Sequence, residues 1–384
     1  MKQRKNFLFL ISVCLVMFLC TGCWNYREIE KCTIIAGIAI DEGTDGYKYH
    51  ITYEVLNFST GNDQTIKSSI IESDGNSIFD SLRKAVTMSD EKLYVGNCEI
   101  IILSKAIAED GIEQLADFFV RDAEPRITAA FAVSDEETAA KILNIHLKTN
   151  EPVSYKILGI LDQSQKVLGH ILSVPLFEIV GTLNSESSKA LTLPKIRLVE
   201  ISDNSEPQLY TNAILRQGKM VGSLKEDENL YFLMLKNKIE SGILLTQVPD
   251  PLKTVSLEIF NCKTTIKPII NGDNVTMEIK VKLNTALGED NGQEKYKNKS
   301  GELKKIEEAA SKTVEAGLMN LISDMQNNYN ADIFGFGEMI EKEKYEDWEK
   351  MSGNWDNIFP NVKCKISADI RIINSATAVP KGGD

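Results

Sequence analysis

The segment Leu19-Cys20-Thr21-Gly22-Cys23-Trp24 constrains this chain most, because it decides where folding takes place. It follows a basic start (Lys2, Arg4, Lys5) and an apolar run from Phe7 to Leu19. A charged opening, a short apolar stretch and then small residues form the order of an export signal. The run falls short of the ~20 residues that a spanning helix needs. Thr21-Gly22 ahead of a cysteine is the arrangement of a lipoprotein box. The Cys23 thiol is expected to receive a diacylglyceryl group, and cleavage then leaves Cys23 as the new N-terminus, with a further acyl chain on its amino group. Small residues are needed there because a peptidase must reach the backbone. Cys20 is a poorer acceptor, since bulky Leu19 precedes it, and it stands where such boxes usually carry Leu. Residues 1–22 are therefore expected to be a signal peptide, with the rest tethered to a membrane outside the cytoplasm. An ordinary signal peptide and an uncleaved anchor are the alternatives.

A chain of 384 residues predicts two or three domains at about 100–200 residues each, and an apolar content of 43% suffices for a core. The net charge is −12, from 43 basic and 55 acidic residues, and the leader carries only basic ones. This balance argues against nucleic acid and against binding anionic lipid through a basic surface, so the acyl chains are expected to do most of the anchoring. Of the cysteines, Cys14 and Cys20 lie in the leader and Cys23 at the lipid site, leaving Cys32, Cys98, Cys262 and Cys364. These are far apart and show no metal spacing. Export permits disulfides, and the spacing does not choose among the pairings. Cys98 and Cys364 sit in strand-like runs and are expected to be buried free thiols.

The apolar β-branched run 32–40, the alternation over 48–56 and a third stretch at 65–72 predict a hairpin or meander. Helices are expected after Asn76-Ser77 and after Ser104, at 134–143 behind a Ser134 cap, and near 155–167 and 174–183. Strands are expected at 93–103, 127–133 and 191–201, with Pro194 marking an edge or bulge. The polar stretch 202–207 reads as a boundary between an N-terminal region, 23–201, and a C-terminal region, 208–384, either one domain or two that divide near 270. In the second region a hairpin turns at Gln217-Gly218-Lys219, strands follow at 242–248, 252–263, 275–287 and 362–373, and 302–329 is the longest helix. Its stripe Leu303, Ile306, Ala310, Val314, Gly317, Leu318, Leu321 and Met325 predicts a core helix lying on the last two of those strands. Strands and helices alternate irregularly, without a βαβ repeat, so the expected class is multidomain α+β with mixed or antiparallel sheets flanked by helices.

Chemistry-bearing patterns are scarce. His50, His146 and His170 are the only histidines, none lies in a metal-binding spacing, and no nucleophile elbow, P-loop or dinucleotide fingerprint occurs. Glu338, Glu341, Glu343 and Glu346 are interleaved with Lys342 and Lys344, as on a solvated helix face. Gly335-Phe336-Gly337 implies a tight backbone path with the phenylalanine pinned in a pocket or offered to a partner. Trp348 and Trp355 are expected to complete that cluster. Catalytic, metal and cofactor residues are expected to be absent.

Read together, these motifs carry a resemblance. Gly22-Cys23-Trp24-Asn25-Tyr26-Arg27-Glu28-Ile29, then Gly37-Ile38-Ala39-Ile40-Asp41, resembles the opening of the Ger(x)C proteins, the lipoprotein C subunits of spore germinant receptors. Asn25 and Tyr26 stand where that family more often has charged residues. Further agreement comes at Arg121-Asp122-Ala123-Glu124-Pro125-Arg126, at Asn212-Ala213-Ile214 and at Lys219-Met220-Val221-Gly222. Most specific is Asp332-Ile333-Phe334-Gly335-Phe336-Gly337-Glu338, with Trp348, Asn354-Trp355 and Phe359-Pro360.

The resemblance implies three α+β domains, no enzymatic activity and no cofactor. It also implies a complex with two integral membrane partners, the A and B subunits, in the inner spore membrane. That complex senses small nutrients and triggers germination. A lipid-anchored solute-binding protein is the rival reading and needs two lobes of βαβ repeats around a cleft. An envelope hydrolase is a third.

Overall fold

A computed structural model describes residues 32–58, 66–187, 189–248, 254–272, 274–290 and 300–375, with Arg4 and Asn6 as isolated positions near the start. Cys23 and the rest of the lipoprotein box lie outside the described residues.

The strands form two sheets. The first contains β1 (Cys32–Glu42), β2 (Tyr49–Phe58), β3 (Ile66–Gly75), β4 (Lys92–Tyr94), β5 (Ile100–Leu103), β6 (Ala130–Ser134), β7 (Ala190–Ile201), β8 (Asn204–Arg216) and β9 (Lys219–Ser223). Its order is β3-β2-β1-β5-β6-β7-β8-β9, with β4 alongside the start of β1. The central strands β1, β5, β6 and β7 are parallel neighbours, and both flanks are antiparallel. The apolar runs of β1, β5 and β6 are continuous because both faces are covered, as parallel strands require. On one face Ile38, Ile101 and Phe131 pack under helices Ile78–Ala85, Glu113–Arg121 and Leu176–Leu183. On the other, Ala39, Ile102 and Ala132 pack under helices Ala140–Leu143 and Val153–Gln163.

The α+β class with mixed sheets holds. The expected lack of βαβ connections does not: β5 reaches β6, and β6 reaches β7, through helical crossovers. Those crossovers are broken into short pieces, for example at Gly111 between Lys105–Asp110 and Glu113–Arg121, which hid the repeat. The expected strand over 93–103 is likewise two strands separated by the turn Val95–Asn97. Arg126 explains that turn: its guanidinium donates to Gly96 O (2.8 Å), Asn97 Oδ1 (3.0 Å) and Glu99 Oε1 (2.8 Å). The short helix Ala140–Leu143 is capped from afar by the Asp41 carboxylate, which accepts from Ala139 N (2.6 Å) and Ala140 N (2.9 Å). Ser134 instead accepts from Glu136 N, two residues on.

The stretch 202–207, expected as a boundary, holds the turn of a hairpin. Ser202 and Asp203 take positive φ, and β7 pairs with β8 directly across them, Ile201 opposite Asn204. A register shift follows Lys195, next to Pro194. The second sheet holds β10 (Gly242–Gln247), β11 (Thr254–Asn271), β12 (Asn274–Asp290) and β13 (Lys363–Ser375), in that order. Position 270 therefore lies near the β11–β12 hairpin, inside one sheet, and is no point of division. β13 runs parallel to β12.

The long helix Ser300–Asp324 covers one face of this sheet, as its apolar stripe predicts. Ile306, Ala310, Val314, Leu318, Leu321 and Met325 are fully buried, whereas Leu303 is half-buried. Gly317 serves a different contact from the expected one. A Cβ there would stand 2.2 Å from the Tyr231 ring, so the glycine admits helix Glu228–Leu235 rather than the strands.

Cys98, Cys262 and Cys364 are free thiols. Cys98 is buried, and burial pushes its thiol far up. Cys364, on the edge strand β13, is half-buried with its thiol pushed up to about 12. No described helix is long and apolar enough to cross a membrane.

Candidate functional site

The sequence singled out Gly335, Phe336, Gly337, Trp348 and Trp355, and the structure gathers all of them around one carboxylate, Asp332. Helix Ser300–Asp324 continues as a wider turn through Tyr329 and stops at Asn330, which takes positive φ. Asp332 then turns its side chain back on the loop that follows. Its Oδ1 accepts from Gly335 N and Phe336 N (both 3.0 Å), and its Oδ2 from Gly337 N (2.9 Å) and Trp355 Nε1 (3.1 Å). The three backbone N–H groups open helix Phe336–Glu343, whose first turn has no other side-chain cap.

Gly337 is the point of closest approach. A Cβ on it would lie 2.7 Å from Ser187 O, 3.0 Å from Trp348 Cη2 and 3.1 Å from Trp355 Nε1. Trp348 and Trp355 meet edge to face at 5.4 Å, and the Phe359 ring lies tilted against Trp355 at 6.2 Å and against Phe336 at 6.4 Å. Phe336 is completely buried, so it is pinned within this chain and not offered outward.

The cluster sits where the two sheets meet. Asp356, one residue beyond Trp355, accepts from Arg216 Nη2 (2.9 Å) and Gln217 Nε2 (3.1 Å) at the β8–β9 turn. Asn330 donates to Asp356 O (2.8 Å). Gln326 donates to Phe359 O and Val362 O, leading the chain into β13. Nearby, the Asn212 amide donates to Asn229 Oδ1 (2.7 Å) and His170 O (3.3 Å), fastening β8 to helix Glu228–Leu235.

Two polar clefts flank Asp332. One, of about 210 Å³, is lined by Arg216, Gln217, Asn330, Trp355 and Asp356. The other, of about 410 Å³, is lined by Glu178, Ser187, Lys236, Gly335 and Glu338. Burial raises the Asp332 carboxyl above the ordinary carboxylate range, against the pull of its N–H donors and of Lys236. Burial lowers the Lys236 ammonium, opposed by Asp332, Glu338 and Glu178. With each Asp332 oxygen already accepting two protein donors, the geometry suits a structural lock, not a proton-transfer base.

The histidines stand apart from this cluster. His50 Nδ1 lies 2.9 Å from Asp74 Oδ1 at the β2–β3 ladder, so it is paired on the strand surface. His146 is exposed, and His170 is half-buried with its imidazole pushed below the ordinary range by burial. Among the described residues no group of His, Cys, Asp and Glu is placed to hold a metal ion. In the sequence Asp332 is the first residue of the motif that runs to Glu338. An Asp three residues ahead of Gly-Phe-Gly is the signal of a side chain capping the next helix, and it was there to be read.

Fold and site together define a non-repetitive protein of two helix-flanked sheets, joined by an aromatic lock. Comparison with known proteins agrees. Residues 25–198 match the model described as spore germination protein N-terminal domain, and residues 212–376 match the spore germination B3/GerAC-like C-terminal model. The chain belongs to the Ger(x)C family.

Spore germination protein B3 of Bacillus subtilis (strain 168) is 24% identical, over 96% of this chain and 98% of that protein. Spore germination protein KC of the same organism is also 24% identical, over 96% and 95%. A crystal structure of the GerBC protein superposes with a TM-score of 0.60 at 21% identity, covering 88% of this chain and 97% of that one; at that identity the likeness speaks for the fold.

Proposed function

We propose that this protein is a non-catalytic, lipid-anchored C subunit of a spore germinant receptor, required for nutrient-triggered germination. The observation that carries this reading is the match of both family models, which between them take in nearly the whole chain after the leader. Relatives named as spore germination proteins extend along almost its full length. The Asp332 cluster supports the non-catalytic part, because its polar atoms are spent on holding the loop and the aromatic rings. In this reading Cys23 carries two or three acyl chains, and two are enough for stable anchoring where one is marginal. The protein then works on the extracytoplasmic side of the inner spore membrane beside integral membrane A and B subunits. The Arg216–Asp356 contact ties the end of β8 to the segment that leads into β13.

The test is purification of the intact protein from spore membranes, with acyl mass sought on its N-terminal peptide and its companions identified. Cys23→Ala is expected to release the protein and impair germination. Full membrane retention of that variant, with no acyl mass on the native peptide, overturns the anchor. Absence of A- and B-type companions overturns the receptor assignment.

One observation favours a second reading, a lipid-anchored solute-binding protein. The parallel centre of the first sheet has helical crossovers, and polar clefts lie at the junction of the sheets. Isothermal titration of nutrient mixtures separates the two, since tight binding by the isolated protein is required only by the second.

A further inference from the structure

The second sheet has one face under helix Ser300–Asp324 and one face left bare by the described residues, and that face has the opposite charge to the chain. Strand register puts Lys263, Lys282 and Asp369 in one row across β11, β12 and β13, and Lys267, Glu278 and Lys365 in another. Thr276 stands beside Lys363, Lys280 beside Ser367, and Asn284 beside Arg371. All seven of these basic side chains are exposed.

The carboxylates on this face are fewer. Glu278 pairs with Lys280 (3.2 Å) and Asp369 with Arg371 (3.3 Å), while Glu258 lies toward β10. Lys263, Lys267, Lys282, Lys363 and Lys365 have no side-chain ion pair among the described residues. In a chain of net charge −12, such a surface is a concentrated exception. An acidic net charge argues against a basic surface only on average, because net charge averages over faces that a partner meets one at a time. At the edge of the same face, Ile243 and Leu245 of β10 point outward, 54% and 59% exposed, beside Phe260 at a bulge in β11.

We infer that this sheet face docks on a bilayer surface rich in anionic phospholipid, with Ile243, Leu245 and Phe260 dipping into the headgroup region. The inference rests on the membrane location proposed above, but not on the lipid at Cys23. Three features favour a lipid surface over an acidic protein. The face is a sheet surface whose basic side chains stand in register rows. Its cations are almost all lysines, point charges on flexible stems, where a fixed carboxylate partner is matched by the arginine fork. Apolar side chains border the charge, as interfacial insertion requires. A lysine near such a surface is worth about 1 kcal/mol, or about fivefold in partitioning.

The test uses the chain beginning at Trp24, which keeps every residue of the two sheets and carries no lipid. Flotation with phosphatidylglycerol vesicles is compared with phosphatidylcholine vesicles, at low salt and at about 1 M salt, where screening shrinks the field to about 3 Å. Binding to the anionic vesicles alone, lost at high salt, is expected. The variant K263Q/K282Q/K365Q is expected to bind about a hundredfold more weakly with an unchanged thermal transition. The control K304Q/K305Q/K312Q, on exposed positions of the covering helix, alters net charge equally and is expected to bind as the parent does. No binding, equal binding to both vesicle types, or equal loss in the control overturns the inference. So does an unaffected triple variant that instead loses its protein companions. Failure of the Cys23 lipid to appear leaves this result untouched, so the two readings fail separately.

Discussion

Gly37 on β1 and Ser154 at the start of helix Val153–Gln163 are so close that a Cβ on the glycine would stand 1.9 Å from Ser154 Oγ. The approach is enforced by Glu54 on β2. Its buried carboxylate accepts from Val153 N (2.7 Å), Ser154 N (2.8 Å) and the Ser154 hydroxyl, so a strand supplies the cap that draws the helix onto the sheet. The family motif Gly37-Ile38-Ala39-Ile40-Asp41 is thereby explained at both ends, since Asp41 caps the neighbouring helix Ala140–Leu143.

Gly37→Ala is expected to destabilise the first sheet by about 1–3 kcal/mol, the usual cost of overpacking. Ser154→Ala removes the nearest clashing atom, so the double variant should be less destabilised than the sum of the singles. Thermal unfolding of the four proteins measures this coupling. Simple additivity would show that Gly37 is not set by Ser154.

Asp332→Ala leaves the N–H groups of Gly335, Phe336, Gly337 and Trp355 without their acceptor. Each buried orphan costs about 1–3 kcal/mol, so a loss on the order of 4 kcal/mol is expected. Tryptophan emission should shift to the red as the Trp348–Trp355 pair meets water. An unchanged spectrum and melting temperature would mean that the aromatic packing holds this loop without its cap.

Leu321→Asp puts an unpaired charge where helix Ser300–Asp324 meets the second sheet. Leu321 is fully buried, so the change belongs to the severe class, several kcal/mol, and should abolish the cooperative unfolding transition of this region. A variant that keeps its transition and loses only assembly with partners would reassign the helix stripe to a docking role.

Asp324 supplies a pH dependence. Burial pushes its carboxyl up, but bonds from Lys225 (2.8 Å) and Asn328 outweigh that and hold it below the ordinary carboxylate range. The folded state then takes up this proton less readily than the unfolded one. The stabilisation is complete above about pH 3.9 and lost as pH falls through the lower, folded value. Asp324→Asn should therefore lower stability at neutral pH, with the gap from the parent narrowing in acid. A pH-independent gap in denaturant titrations would contradict the assignment.

Local pattern determined much of this protein. The continuous apolar runs at Ile34–Ile40 and Ile100–Leu103, the Ser77 and Ser104 caps and the helical stripe from Ile306 to Met325 were legible because each depends on neighbours along the chain. The glycine–aromatic motif was legible as a cluster for the same reason. Only the tertiary structure decided which residues close the long-range contacts. Asp332 reaches Trp355, Arg126 kinks the chain at Gly96, Glu54 and Asp41 cap helices about a hundred residues away, and β7 turns directly into β8 where polarity suggested a linker. The bare basic face was hidden for another reason: its lysines alternate along the β11–β12 hairpin and the distant strand β13, and only register brings them to one side. Spacing carries information about a strand or a helix, whereas a shared face between strands is a property of pairing.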